Sequence, residues 1–233
     1  MSTIEKLIRL DSDLPTTESG RWKFKYGDTL ECNMRCMRCV ARKGGVQCRR
    51  TTCYTLPYCW QHLKLVAHLR VGRTTLKDPS TGRRFKFRGL FACDTKNPGG
   101  IVFRRNDIIS PYVGELLSAQ ELDARYSEDE LAPYVDVVEV GMDGDMYIDG
   151  ACMRGVASLA NDAINGSTCT TQKCRNNSFF FSGDGNYPQL KALRNIRDGD
   201  EIFVAYGDEY WDGPVPEHTT SPASVYNKIE YRC

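Results

Sequence analysis

The sequence predicts a mostly β, irregular domain preceded by a small metal-binding module. The first half rests on short apolar runs that recur with turn residues between them from Ile101 to Tyr206. Strands alternating with long helices, the mark of a doubly wound sheet, are missing. The second half rests on six cysteines (Cys32, Cys36, Cys39, Cys48, Cys53 and Cys59) within 28 residues, beside His62. A chain of 233 residues has room for one domain and one such module.

Residues 1–31 begin with a helix candidate at Ile4 to Leu10, then a polar linker through Pro15 and Gly20. Trp22, Phe24 and Tyr26 alternate with lysines, a strand pattern. Met1-Ser-Thr-Ile-Glu-Lys leads to Asp11 and Asp13, unlike a basic-then-apolar leader, and no apolar run approaches ~18 residues. The expectation is a soluble intracellular protein. Eleven cysteines are an odd count, so the cluster reads as metal binding in a reducing compartment and not as a disulfide framework.

Residues 32–77 form the expected module. Gly44-Gly45 lies midway between Cys39 and Cys48, so a hairpin brings the two thiolates together. Cys59 and His62, at i and i+3, share a helix face that continues through Leu63-Lys-Leu-Val-Ala-His-Leu69. Cys39, Cys48, Cys59 and His62 make a closed set suited to Zn2+. A rival set takes Cys36 with Cys39, Cys59 and His62; Cys53 is a further alternative ligand, and two ions are compatible with the count. Pro57-Tyr-Cys-Trp-Gln-His-Leu63 also resembles small zinc-binding segments found in proteins of protists, algae and their large DNA viruses.

Charge divides the chain. Cys32 to Cys93 holds fourteen Lys/Arg against one acid, Asp78, whereas Asp107 to Asp149 holds twelve acids against one base, Arg125. The basic module, with Arg35, Arg38, Arg42, Lys43, Arg49 and Arg50, suits nucleic-acid phosphates, the alternatives being a solvated face or an acidic partner. The acidic stretch suits a Lys/Arg-rich protein.

Asp78-Pro-Ser-Thr-Gly82 is a turn and a boundary. Beyond it, strands are expected at Ile101–Phe103, Ile108–Val113, Tyr134–Val140, Met146–Ile148, Asn177–Phe181 and Glu201–Tyr206. Ser118-Ala-Gln-Glu121 is a capping box opening a helix to about Tyr126. Gly183-Asp-Gly185 is a lone Gly-x-Gly without βαβ context, read as a hairpin turn.

Six motifs carry a family resemblance by their order. Arg88-Gly-Leu-Phe-Ala92 looks like an opening cofactor loop, and Ile108-Ile-Ser-Pro-Tyr-Val-Gly-Glu115 like a strand with a Tyr-x-Gly-Glu turn. Tyr147-Ile-Asp-Gly150, Ser158-Leu-Ala-Asn-Asp-Ala163 and Asn177-Ser-Phe-Phe180 follow, and Glu201-Ile-Phe-Val-Ala-Tyr-Gly-Asp-Glu-Tyr-Trp211 closes the series. Over residues 83–211 the chain resembles the SET domain of protein lysine methyltransferases, whose β-clip-like short sheets enclose a pseudoknot; residues 212–233 are then a C-terminal tail.

The resemblance implies an S-adenosylmethionine-dependent lysine methyltransferase acting on a histone tail or another Lys/Arg-rich protein. Chromatin-complex subunits as partners and a nuclear location follow from it. It makes Tyr206 the catalytic phenol and Tyr112 a second one. It assigns the cofactor to Gly89, Leu90, Phe91, Tyr112, Asn161, Asp162, Tyr206 and Trp211. Departures are Asp162 for the family's histidine, Ala163 for its serine, Ser158 for its arginine, Phe87 for the first glycine of the opening loop, and a missing C-terminal cysteine triplet. They give weight to the alternative of an inactive SET scaffold that binds chromatin or a partner through the zinc module and acidic groove.

Overall fold

The computed structural model describes residues 21–26, 30–35, 37–52, 57–77, 81–84, 88–125, 135–139, 145–150, 155–163, 176–181 and 188–206. The helix candidate at Ile4 to Leu10, Cys36, Cys53, the 183–185 turn, Trp211 and the tail lie outside them.

The N-terminal aromatic–lysine alternation forms β1 (Arg21–Tyr26), antiparallel to β2 (Leu30–Arg35). β3 (Met37–Arg38) pairs with β6 (Thr51–Thr52), and β4 (Arg42–Lys43) with β5 (Val46–Gln47). Gly44 and Gly45, at φ 56° and 80°, supply the left-handed backbone that a two-residue hairpin turn demands.

The helix expected through Leu69 stops earlier. A helical turn at Trp60–His62 widens into a π-turn over Leu63–Ala67, which buries Leu63 and Ala67. His68 then adopts φ 56° and donates its N–H to the Leu63 carbonyl, ending the helix as a left-handed cap. Leu69 therefore begins a strand, β7 (Leu69–Arg73).

β7 pairs with β8 (Arg88–Ala92), and β8 in turn with β17 (Glu201–Ile202). The segment expected as a cofactor loop is thus a central strand, because Leu90, Phe91 and Ala92 are buried between two neighbours. β9 (Ile101–Phe103) pairs with β16 (Ile196–Arg197). β10 (Ile108–Pro111), β15 (Gln189–Ala192) and β14 (Ser178–Phe181) make one sheet in that order, and β11 (Glu115–Ser118), β13 (Asp145–Asp149) and β12 (Val135–Glu139) another. The chain is mostly β, as its pattern predicts.

The capping box forms as expected at helix Ala119–Arg125. Ser118 N donates to Glu121 Oε2 at 2.8 Å, and Glu121 N to Ser118 Oγ at 3.3 Å.

One apolar cluster runs through these small sheets. It joins Cys39, Cys59, Leu63 and Leu69 to Leu90, Ile148, Leu190, Ile196, Ile202 and Val204. Two-stranded pairs are marginal alone, and this shared core takes in Phe103 of β9 and Ile196 of β16, which hold that pair to the neighbouring sheets. No helix among the described residues is long and apolar enough to cross a membrane.

Candidate active site and metal centre

The metal module assembles as its spacing implies. One ligand atom each from Cys39, Cys48, Cys59 and His62 lies within 4.8 Å of every other. Cys39 Sγ is 3.4 Å and Cys59 Sγ 3.3 Å from His62 Nδ1. A tetrahedral zinc with usual bond lengths requires sulfur–nitrogen separations of about 3.5 Å, so the donor set fits. Burial pushes the Cys39 thiol up to about 11, opposed by backbone hydrogen bonds at Cys59 and Ala41. At Cys59 burial also acts upward, but hydrogen bonding to the His62 backbone, to Cys39, to the Gln61 backbone and to Cys48 together holds the thiol below its usual value. Cys48 N donates to Ala41 O at 2.8 Å, and Leu63 N to Cys59 O at 2.8 Å, so hairpin and helical turn each fix their own ligands.

The second centre forms around residues 201–206, which lie among three distant segments. After β17, Phe203 bridges Asn161 and Val204 bridges Ser178, both parallel. Val204 N donates to Asn161 O at 2.9 Å; Asn177 N and Ser178 N donate to Phe203 O at 3.0 and 2.9 Å. Asn177 closes the junction with its side chain, accepting from Phe203 N at 2.9 Å and donating to Glu201 O at 2.8 Å.

Tyr206 and Asn161 are thereby brought together. The Tyr206 hydroxyl donates to Ala160 O at 2.9 Å, one residue from Asn161. Asp162 accepts Tyr206 N–H on Oδ2 at 3.0 Å and Asn176 Nδ2 on Oδ1 at 3.1 Å, and Asn176 Oδ1 receives Ala163 N at 2.9 Å. The carboxylate at 162 therefore acts as a two-sided acceptor that pins the backbone of Tyr206. Ser158 spends its hydroxyl locally, on Gly155 O at 2.8 Å.

Asn161 is buried and gives Nδ2 to Arg88 O at 3.0 Å and to Glu201 Oε1 at 3.3 Å. Its Oδ1 has no donor among the described residues. A buried amide oxygen left open beside a glycine suits the cationic amino-acid end of a nucleoside cofactor. A Cβ at Gly89 would lie 2.0 Å from Glu201 Oε1 and 3.2 Å from Asn161 Nδ2, so only glycine lets the three groups converge.

Leu90 and Phe91 contribute packing: both are buried, both are paired on both edges of β8, and Phe91 carries the Arg70 guanidinium 4.3 Å above its ring. Tyr112 is buried and meets Phe180 edge-on at 5.3 Å, its N–H donated to Pro188 O at 2.7 Å. Its neighbour Gly114 is obligatory too, since a Cβ there would sit 2.5 Å from Asp149 O.

Sequence reasoning assigned no site role to Thr74, Thr75 and Asn176, and marked Glu201 and Asn177 only as the openings of motifs. The available signals were a charged residue opening an apolar strand, a Thr–Thr pair ending a basic one, and an Asn–Asn pair before an aromatic run.

Residues 88–207 match the SET domain family model. Among solved structures, the methyltransferase domain of human PR domain-containing protein 2 is 17% identical at a TM-score of 0.42, the match covering 67% of this chain and 87% of that one. The Neurospora SET domain protein DIM-5, a histone lysine methyltransferase, is 20% identical at a TM-score of 0.41, covering 60% and 52%. ATXR5, in complex with histone H3.1 mono-methylated on R26, is 16% identical at a TM-score of 0.41, covering 60% and 56%. The chain thus spans most of the first of these structures and about half of the other two. No curated protein matches the sequence.

Proposed function

The chain belongs to the SET-domain family, and from that premise we propose that it is an S-adenosylmethionine-dependent protein lysine methyltransferase. The observation that carries this reading is the meeting of Tyr206 with the Asn161 loop, fixed at both the phenol and the backbone of Tyr206.

The cofactor supplies a methyl carbon on a sulfonium, open to in-line attack by a neutral amine. The tasks left to the chain are placement and exclusion of water. Because the Tyr206 hydroxyl proton is directed at Ala160 O, the lone pairs of its oxygen face away from that carbonyl. There they would attract the polarised methyl group of a bound cofactor and orient the incoming nitrogen. Tyr112 and Phe180 form an apolar aromatic wall, which lowers an amine's pKa by desolvating its ammonium form and favours the methylated cation. Asn161 and the Gly89 end of β8 would hold the amino-acid end of the cofactor, and Trp211 is the residue we assign to its adenine. Asp162, in place of the family's histidine, serves the reaction by holding Tyr206.

The acidic composition of residues 107–149 supports a Lys/Arg-rich substrate, a histone tail before others, and with it a nuclear, chromatin-bound role. Zinc is structural in this reading, since its four protein ligands leave no open position. Exposed Arg42, Lys43, Arg49 and Arg50 around the hairpin suit nucleic-acid phosphates beside that substrate.

Intact-mass analysis of histones incubated with protein and cofactor tests the reading. Wild type should add methyl groups, and Tyr206→Phe should lower the rate at least about 100-fold while changing cofactor affinity little. Unmodified histones, despite calorimetrically verified cofactor binding, would reduce the chain to a scaffold.

A further inference from the structure

Glu201 opens β17 yet carries its carboxylate into the interior, with 5% of its surface exposed. Its partners are neutral. Thr74 Oγ1 and Asn161 Nδ2 donate to Oε1 at 2.6 and 3.3 Å; the Thr75 N–H donates to Oε2 at 2.6 Å, and the Thr75 hydroxyl donates to the same oxygen. No cation pairs with it among the described residues. Burying a carboxylate this way is expensive, and an apolar side chain would fill a core more cheaply.

The arrangement has one evident product: the orientation of the Asn161 amide. Turned the other way, Asn161 Oδ1 would face Arg88 O and Glu201 Oε1, two acceptors, and both contacts would become repulsive. The amide is therefore held with Nδ2 toward Arg88 O and Glu201 Oε1, and its Oδ1 has no donor among the described residues. Thr74 and Thr75 saturate the rest of the carboxylate, so Glu201 has no other place to swing.

We infer that Glu201, clamped by Thr74 and Thr75, is a positioning residue that presents Asn161 Oδ1 as the acceptor for the α-ammonium group of the cofactor. This deepens the reading above and rests on it. It also makes the chain just after β7, where the metal module meets the domain, part of the cofactor site.

The test is calorimetry on the full, zinc-loaded chain with S-adenosylhomocysteine and with its analogue lacking the α-amino group. Wild type should prefer the amino-bearing ligand by about tenfold or more. In Glu201→Gln one amide oxygen cannot serve both donor groups, and that preference should fall to about threefold or less, with affinity for the analogue unchanged. Thr75→Val removes a single hydroxyl and, as the gentler change, should lower the preference part of the way.

A preference retained in both variants overturns the inference, and so does an equal loss for the two ligands, which would mark Glu201 as merely structural. Wild-type protein that binds neither ligand overturns the cofactor reading and the inference together.

Discussion

Gly89→Ala is the smallest change that sets the core of the site against itself. The added methyl would sit 2.0 Å from Glu201 Oε1 and 2.9 Å from its Cδ. To regain ordinary contact, at about 3.5 Å, the oxygen must withdraw by roughly 1.5 Å. It cannot do so and keep its bonds from Thr74 at 2.6 Å and Asn161 at 3.3 Å. Hydrogen bonds to a charged group contribute about 1.5–3 kcal/mol each, so two of them give a loss of about 3–6 kcal/mol. Against a typical domain stability of about 5–15 kcal/mol, that is a large fraction. Urea unfolding followed by tryptophan fluorescence, with the slope checked for constancy, measures it. Adding Glu201→Ala removes the obstacle, so the double variant should be more stable than the sum of the two single changes implies. A cost below about 1 kcal/mol for Gly89→Ala, or strict additivity in the double variant, would falsify the argument that space at residue 89 belongs to the carboxylate.

Two further perturbations have definite outcomes. Cys59→Ser removes one of four ligands, so plasma emission should find about one zinc per chain in the wild type and little in the variant. Because structural zinc contributes on the order of 10–16 kcal/mol and Cys39, Cys59 and Leu63 share the main core, the variant should also melt well below the wild type. Asp162→Ala removes the acceptor of Tyr206 N and Asn176 Nδ2, at a cost of about 0.5–1.5 kcal/mol for each of these part-buried hydrogen bonds. Denaturant unfolding should show about 1–3 kcal/mol lost, with turnover falling more than cofactor affinity; unchanged turnover would remove Asp162 from any role in holding Tyr206.

The parts that could be read ahead of the structure were those whose physics is local. Gly44-Gly45 announces a tight hairpin because few other residues take positive φ twice, and Ser118 with Glu121 announces a helix start because both groups act within one turn. The Cys39, Cys48, Cys59 and His62 set followed from combining that hairpin with one helical turn. What escaped depends on partners far along the chain. The apolar spacing at Leu63, Val66 and Ala67 carried a helix on through Leu69, but the sheet partner waiting at β8 claims that residue. Arg88 to Ala92 resembles a cofactor loop by its place in the order of motifs, but it is a strand with partners on both edges, and its glycine meets a carboxylate 112 positions later. Asp162 read as damage to a motif because the backbone N–H it accepts belongs to a residue 44 positions away.

Residues 201–206 gather β8, the Asn161 loop and Ser178 into one junction, and Thr74 reaches Glu201 across 127 positions. Loops of that size close slowly and form nothing useful until they are shut, so no fragment that lacks the junction holds a half-built pocket. A molecule seated there would fasten the far-flung pieces at once, and its occupancy would slow amide exchange in strands it never touches.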